Sequence, residues 1–257
     1  MLALTLLALL ASPADTLVVG SLADPVVLDP HRAIDLVAAS IVSVVCEPLV
    51  RDRPDGIHFE PALATSWATR DNRVWTFTLR AGVVFHDGTP LDAGAVVANV
   101  EHLRQVRGFK GSAGRLGPLA VTVTLDHPNA ALLSTLSQPF FTLVSPRQLS
   151  ASSPKPVGTG PFRLLTAKPG LVELQANPAY WGDPPRFRRI LFRRLPDEGA
   201  MLTALLAGEV DVTSALTLES HPRLEGSPDL VVVARVGHNL AYLALNNERP
   251  PFTDPRV

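Results

Sequence analysis

Two hydrophobic periods run along the chain. Between Val74 and Leu79, Val74, Thr76 and Thr78 fall on one face and Trp75, Phe77 and Leu79 on the other, the period of a half-buried strand. Ala120–Leu125 repeats that pattern, and Thr16–Gly20 is a short β-branched strand. Residues 33–46 are mostly apolar with few breakers and predict a buried helix. Asp92 is placed to cap a helix over 93–104 that turns Ala93, Val96, Val97, Val100 and Leu103 inward. Asp197 predicts a second capped helix, with Met201, Leu202, Leu205 and Leu206 at helical spacing and Gly208 as its stop. Phe162–Leu165 pairs with Val172–Gln175, and Arg189–Leu195, Val210–Val212, Leu230–Val236 and Leu240–Leu245 are further strands. Val83–Phe85 resumes the strand broken at Ala81-Gly82. Residues 52–56, 107–118 and 150–161 read as a turn, a Gly-rich loop and a crossover. Strands alternating with helices in the second half predict an α/β layer with some parallel pairing.

The N-terminus changes the picture. Leu2–Ala11 is an apolar run too short to span a bilayer, and Ser12-Pro13-Ala14 follows with small residues. That order predicts a secretory leader over 1–14, cleaved after Ala14, although no Lys or Arg precedes the run. The alternative is a buried N-terminal strand or helix. At the other end, Asp254 and Pro255 mark a helix start with only Arg256 and Val257 beyond, so the chain is expected to be cut short of that helix.

Composition removes several classes of function. The 23 basic and 24 acidic residues of this 257-residue chain balance, leaving no footprint for a nucleic acid or a membrane surface. Cys46 is the one cysteine and sits in an apolar run, which reads as a small core residue. The seven histidines never pair at i, i+4, and no phosphate loop, GxSxG elbow or HExxH is present. His86-Asp87 is a turn rather than an acid–base pair, because adjacent side chains point apart. Gly158-Thr159-Gly160 is a tight crossing rather than an anion cradle, because Pro161 removes a donor. Trp67, Trp75, Tyr180 and Trp181 have core packing as their default role. Neither catalytic nor metal-ligating residues are assigned, and no cofactor is expected.

Five segments carry more: EPALATSW at 60–67, WTFTLRAGVVFHDGTPL at 75–91 followed by DAGAVVANVEHL, VGTGPF at 157–162, NPAYWG at 177–182 followed by PDEGAMLTALLAGEVD at 196–211, and YLALNNERPPFTDPRV at 242–257. In this order and spacing the chain resembles the extracellular solute-binding proteins of the peptide, dipeptide and nickel importer class, solute-binding family 5. The resemblance implies the α/β periplasmic-binding-protein type II fold, with mixed sheets and flanking helices and two lobes that close on ligand. By that pattern residues 15–46 and 158–257 form the main subdomain of the first lobe, residues 47–157 form an inserted subdomain, and the second lobe is missing. The implied function is capture of a small solute (oligopeptide, dipeptide or metal chelate) outside the cytoplasmic membrane. The resemblance further implies that the solute passes to an ABC permease, that the carrier works as a monomer without nucleic acid, and that its location is periplasmic or extracellular.

Ligand contacts in the family come from variable positions. Those implied here are Asp24, Leu28, Asp29 and His31 after the first strand, Asp35 and Ala39 at the next helix, and Gln138, Phe140 and Phe141. Two departures stand out. The stretch between helix 93–104 and strand 120–125 is short, and Ala95 stands where an acidic capping residue is common. A sensory or regulatory module of the same fold and a secreted peptide hydrolase remain the alternatives. The first needs an attached DNA-binding or membrane segment, and the second a nucleophile, metal or carboxylate pair.

Overall fold

The computed structural model describes residues 2–8, 15–53, 55, 57–151, 155–224, 227–236, 246, 248–251 and 253–254. Its main sheet has seven strands. They are β1 (Leu2–Ala8), β2 (Thr16–Ser21), β9 (Phe162–Lys168), β10 (Leu171–Ala176), β11 (Arg189–Arg194), β12 (Val212–Thr213) and β13 (Leu230–Val236), in the order β13-β1-β12-β2-β11-β10-β9. β2 is central and runs parallel to both neighbours, pairing Leu17 with Ile190 of β11 and Val19 with Val212 of β12. The hairpin β9–β10 and strand β1 add antiparallel pairs. The sheet is therefore mixed, as expected.

Helices cover both faces, because successive residues of β2 point to opposite sides. Leu17 and Val19 face α1 (Leu36–Val45), whose Ile41, Val42 and Val45 pack on Phe162, Leu174, Ile190 and Phe192. Val18 faces α5 (Glu198–Leu206), where Met201, Leu202 and Leu205 close a second core over Val210. Asp197 caps α5 by accepting from the Ala200 amide, and Gly208 ends it in the left-handed region. Leu206 is 48% exposed, so it leaves the expected apolar face.

A second layer holds a four-stranded sheet, β5 (Ala64–Thr69), β6 (Val74–Leu79), β8 (Ala120–Leu125) and β7 (Gly111–Arg115), and the short pair β3 (Val50–Asp52) with β4 (Phe59–Pro61). Trp75, Phe77 and Leu79 point inward as the alternation requires. They meet Val96 and Val100 of α2 (Ala93–Arg107) and Leu132 and Leu136 of α3 (Leu132–Leu136). Two single-turn helices, α4 (Pro146–Leu149) and α6 (His221–Leu224), complete the set.

Several expectations are corrected. α1 begins at Leu36 rather than 33, because Asp35 accepts from the Ala38 amide and fixes the cap there. α2 runs on to Arg107 and stops at Gly108, which is left-handed. Ala95 is 3% exposed, so an acidic residue at that position would be buried in the core. Residues 111–115, read as loop, form edge strand β7, since Gly111 lets the strand approach the backbone of Thr124. Val83–Phe85 makes only an isolated bridge from Val84 to Pro90. The expected leader contributes β1 between β12 and β13, while residues 9–14, with the expected cleavage point, lie outside the described residues. So do the expected strand 240–245, part of the turn at 52–56 and the position of Pro255.

Candidate solute site and the junction behind it

Parallel strands leave a crevice where consecutive connections diverge to opposite faces, and here that point is the carboxyl end of β2. The chain leaving β2 passes Asp29-Pro30-His31 before entering α1. His31 is 1% exposed and held twice: its amide donates to Asp29 Oδ1 at 3.0 Å, and its Nε2 donates to the Thr142 carbonyl at 2.8 Å. That second bond joins the loop to the turn Pro139–Phe141. The C-terminal turn of α2 closes the other side. Arg107 donates from Nη2 to the Ala33 carbonyl at 2.5 Å, and its guanidinium lies 4.9 Å from the centre of the Phe140 ring.

The three segments border an open cavity of about 510 Å³ lined by His31, Arg32, Ile34, Val106, Arg107 and Phe141. Its charge is positive. Arg32 Nε is 3.5 Å from the buried Asp29 carboxylate, but 59% of the Arg32 side chain remains exposed. Arg107 Nε is buried without a hydrogen-bond partner. Burial draws the Arg107 guanidinium below its usual value against the opposing pull of Asp29. Burial also lowers His31 to about 4, with the Thr142 bond and Asp29 opposing, so the ring is neutral at neutral pH. The arrangement can receive a carboxylate or another compact anion between two guanidinium groups, with Phe141 and Ile34 as apolar walls.

The sequence-derived candidates separate into groups. His31 and Phe141 line this cavity, Phe140 lies against its Arg107, and Asp29 pairs with its Arg32 while lining a neighbouring groove. Asp24 and Leu28 line that groove, of about 760 Å³, where Asp24 accepts from the Gly170 amide and lies 3.7 Å from Arg194. Asp35 is committed to Ala38 and Val26 amides. Ala39 is half-buried on α1 and lines neither space, and exposed Gln138 turns back to the Ser134 carbonyl. Sequence reading missed Arg32 and Arg107. The signal for Arg107 was a cation in a last helical turn before a glycine.

The motifs lie behind this site. Glu47 is 1% exposed, and four donors reach its carboxylate: Arg51 at 2.6 Å and Tyr180 at 2.9 Å on Oε1, Trp181 at 2.7 Å and Thr159 at 2.9 Å on Oε2. Arg80 stacks 4.2 Å from the Trp181 ring. The His86 amide donates to the Gly158 carbonyl, and its Nε2 and the Asn177 amide group both donate to the Gly160 carbonyl. Tyr180 and Trp181 therefore act through their polar tips, beyond the core packing expected of them. Cys46, next to this carboxylate, is fully buried, and burial pushes its thiol up.

Residues 58–257, more than half of the chain, match the family described as bacterial extracellular solute-binding proteins, family 5. The chain belongs to this family. It is 31% identical over 264 residues to the Escherichia coli (strain K12) "Probable D,D-dipeptide-binding periplasmic protein DdpA", covering 94% of this chain and 51% of that protein. NikA from Brucella suis, solved in complex with Fe(III)-EDTA, superposes with a TM-score of 0.69 at 32% identity over 76% of this chain and 42% of its own. DppA from Helicobacter pylori, solved with the peptide STSA, gives 0.74 at 26% identity over 83% and 49%. The chain spans about half the length of the curated relatives it matches. Among the described residues no group of His, Cys, Asp or Glu could hold a metal ion, and no helix is long and apolar enough to cross a membrane.

Proposed function

We propose that this family member is the substrate-binding component of an ABC importer, and that it captures a small solute bearing a carboxylate for delivery to a membrane permease. The observation that carries the reading is Arg107. It is fixed by Ala33 and Phe140, its Nε has no protein partner, and it faces a cavity it shares with Arg32. Relatives described with a D,D-dipeptide, a peptide and Fe(III)-EDTA all concern carboxylate-bearing solutes, which supports that class. Residues 15–46 with 158–257 carry six strands of the seven-stranded sheet and residues 47–157 the smaller sheets, which supports two subdomains in one lobe. Residues 1–14 are a leader in this reading, so β1 belongs to the precursor. Binding alone does the work: a second lobe closes over the solute and the closed form docks on the permease.

The test uses the full-length protein, expressed with its leader in a Gram-negative host. The exported form begins at Asp15. Calorimetry with Ala-Ala and with Fe(III)-EDTA shows binding of at least one probe, and Arg107→Gln weakens it about tenfold or more, the loss of one charge-assisted hydrogen bond. Absence of binding to both probes, or steady hydrolysis of the dipeptide, overturns the reading.

A further inference from the structure

Two histidines reach across the boundary between the seven-stranded and the four-stranded layers, in opposite directions. His31, on the loop from β2 to α1, donates from Nε2 to the Thr142 carbonyl at 2.8 Å, and Thr142 leads into Leu143 of the second layer's core. His86, on the turn between β6 and α2, donates from Nε2 to the Gly160 carbonyl at 3.0 Å, just ahead of β9. A carbonyl only accepts, so each ring carries its proton on Nε2 and a bare lone pair on Nδ1. Both Nδ1 atoms are buried and lack a hydrogen-bond partner. A proton added there creates a donor and a charge in a place that satisfies neither.

The charged groups around each ring are already engaged or are cations. His31 faces Asp29 and Arg32 on its own loop and His102 and Arg107 on α2. Asp29 takes the His31 amide on Oδ1 and lies 3.5 Å from Arg32 Nε on Oδ2. The segment 139–142 brings no charge, and Cys46 at the end of α1 is a neutral thiol. His86 faces Asp87 on its own turn and Arg163 on β9. Asp87 is turned to the Ser145 hydroxyl at 2.7 Å and the Thr89 amide at 3.0 Å, with Arg147 of α4 beyond. Burial lowers both imidazoles, so both are neutral at neutral pH.

We propose that His31 and His86 form an acid-released clasp between the two layers. A proton on Nδ1 meets water only when the ring leaves its buried seat, and each ring that leaves breaks its Nε2 bond across the boundary. The cationic cavity spans the same boundary, with His31 and Arg32 on one wall and Arg107 and Phe141 on the other, so release of the clasp parts those walls. The clasp acts whatever solute the cavity takes.

Hydrogen exchange on the full-length protein at pH 7.5 and pH 5 tests the clasp. The reporter is the His86 amide, which donates across the boundary to the Gly158 carbonyl. His31 goes from about 4 in its seat to 6.5 in water, which favours the open form about 30-fold at pH 5. Protection at His86 should fall by that factor or more. It should also be unchanged by dilute urea, because a local opening exposes little surface, whereas the amides of β6 and β8 lose protection in urea. His31→Gln and His86→Gln keep an amide donor for Thr142 and Gly160 and take up no proton, so the double variant should hold its protection between the two pH values. If that variant fails to fold at pH 7.5, imidazole NMR titration of the parent decides, and both rings should stay neutral well below pH 6.5. Four results overturn the clasp: His86 protection level between the two pH values, protection that falls in dilute urea as steeply as that of the strands, the same acid loss in the double variant, or either ring titrating at its ordinary value in the folded protein.

Discussion

Replacing Glu47 should destabilise the fold more than any surface change, because its carboxylate is the common acceptor for two distant segments, Thr159 and Tyr180–Trp181, and for nearby Arg51. Thr159 is 0% exposed, so its hydroxyl has no access to water once Glu47 is truncated. Trp181 and Tyr180 are half-buried and lose an acceptor with partial relief from solvent. The Arg51 side chain is 42% exposed and turns to water, so its ion pair counts for little. An unsatisfied buried donor costs about 1–3 kcal/mol. Taking the full range for Thr159 and half of it for each aromatic places Glu47→Ala at about 2–6 kcal/mol, which spans the range of about 3–5 kcal/mol for breaking a buried charged network. Glu47→Gln keeps one carbonyl oxygen for Thr159 and Trp181 and turns its amide toward the more exposed pair, which places it near ~2 kcal/mol. Urea unfolding of the full-length protein measures both, as midpoint shifts at unchanged slope. The cycle of Glu47→Ala with Trp181→Phe, which removes the acceptor and the donor in turn, should show coupling of about 1 kcal/mol. A Glu47→Ala protein within ~1 kcal/mol of the parent would refute the description of this carboxylate as the acceptor that holds the junction.

Two further outcomes follow from the same geometry. His31 titrates near 4 in the folded chain because burial disfavours its charge, against 6.5 when unfolded. The unfolded chain therefore binds more protons between those values. Stability is fully present above pH 6.5 and falls by about 3 kcal/mol as pH drops to 4; His31→Gln, measured by unfolding at pH 7 and 4.5, should remove most of that slope. At Gly160 an added Cβ would lie 2.6 Å from the Val44 carbonyl oxygen and 2.8 Å from that of Val45, backbone atoms that cannot turn aside. Gly160→Ala should lower stability by at least ~2 kcal/mol, and a thermal midpoint equal to the parent's would contradict that packing.

Local patterns settled a good part of this protein before any long-range contact was known. The alternation at 74–79 set which side of β6 is buried, and Asp92 and Asp197 marked helix starts because a capping carboxylate satisfies amides only three residues away. Strand β7 was hidden because Gly111 and Gly114 carry no side-chain pattern; its pairing with β8 decides it. The order of the motifs fixed the family, and with it the kind of fold. Tertiary structure alone decided what the motifs do. Glu47 meets Thr159 across 112 positions and Trp181 across 134, and no periodicity reports such a meeting. The candidate site divides in the same way. Asp24, Asp29 and Asp35 look alike in sequence as acidic residues of one loop and each accepts a backbone amide, yet only Asp29 pairs with an arginine of the cationic cavity. Arg107 joins His31 only because α2 ends where the β2 loop and the turn at 139–141 converge. Local order is written in near neighbours; a binding cavity is made of residues that folding brings together.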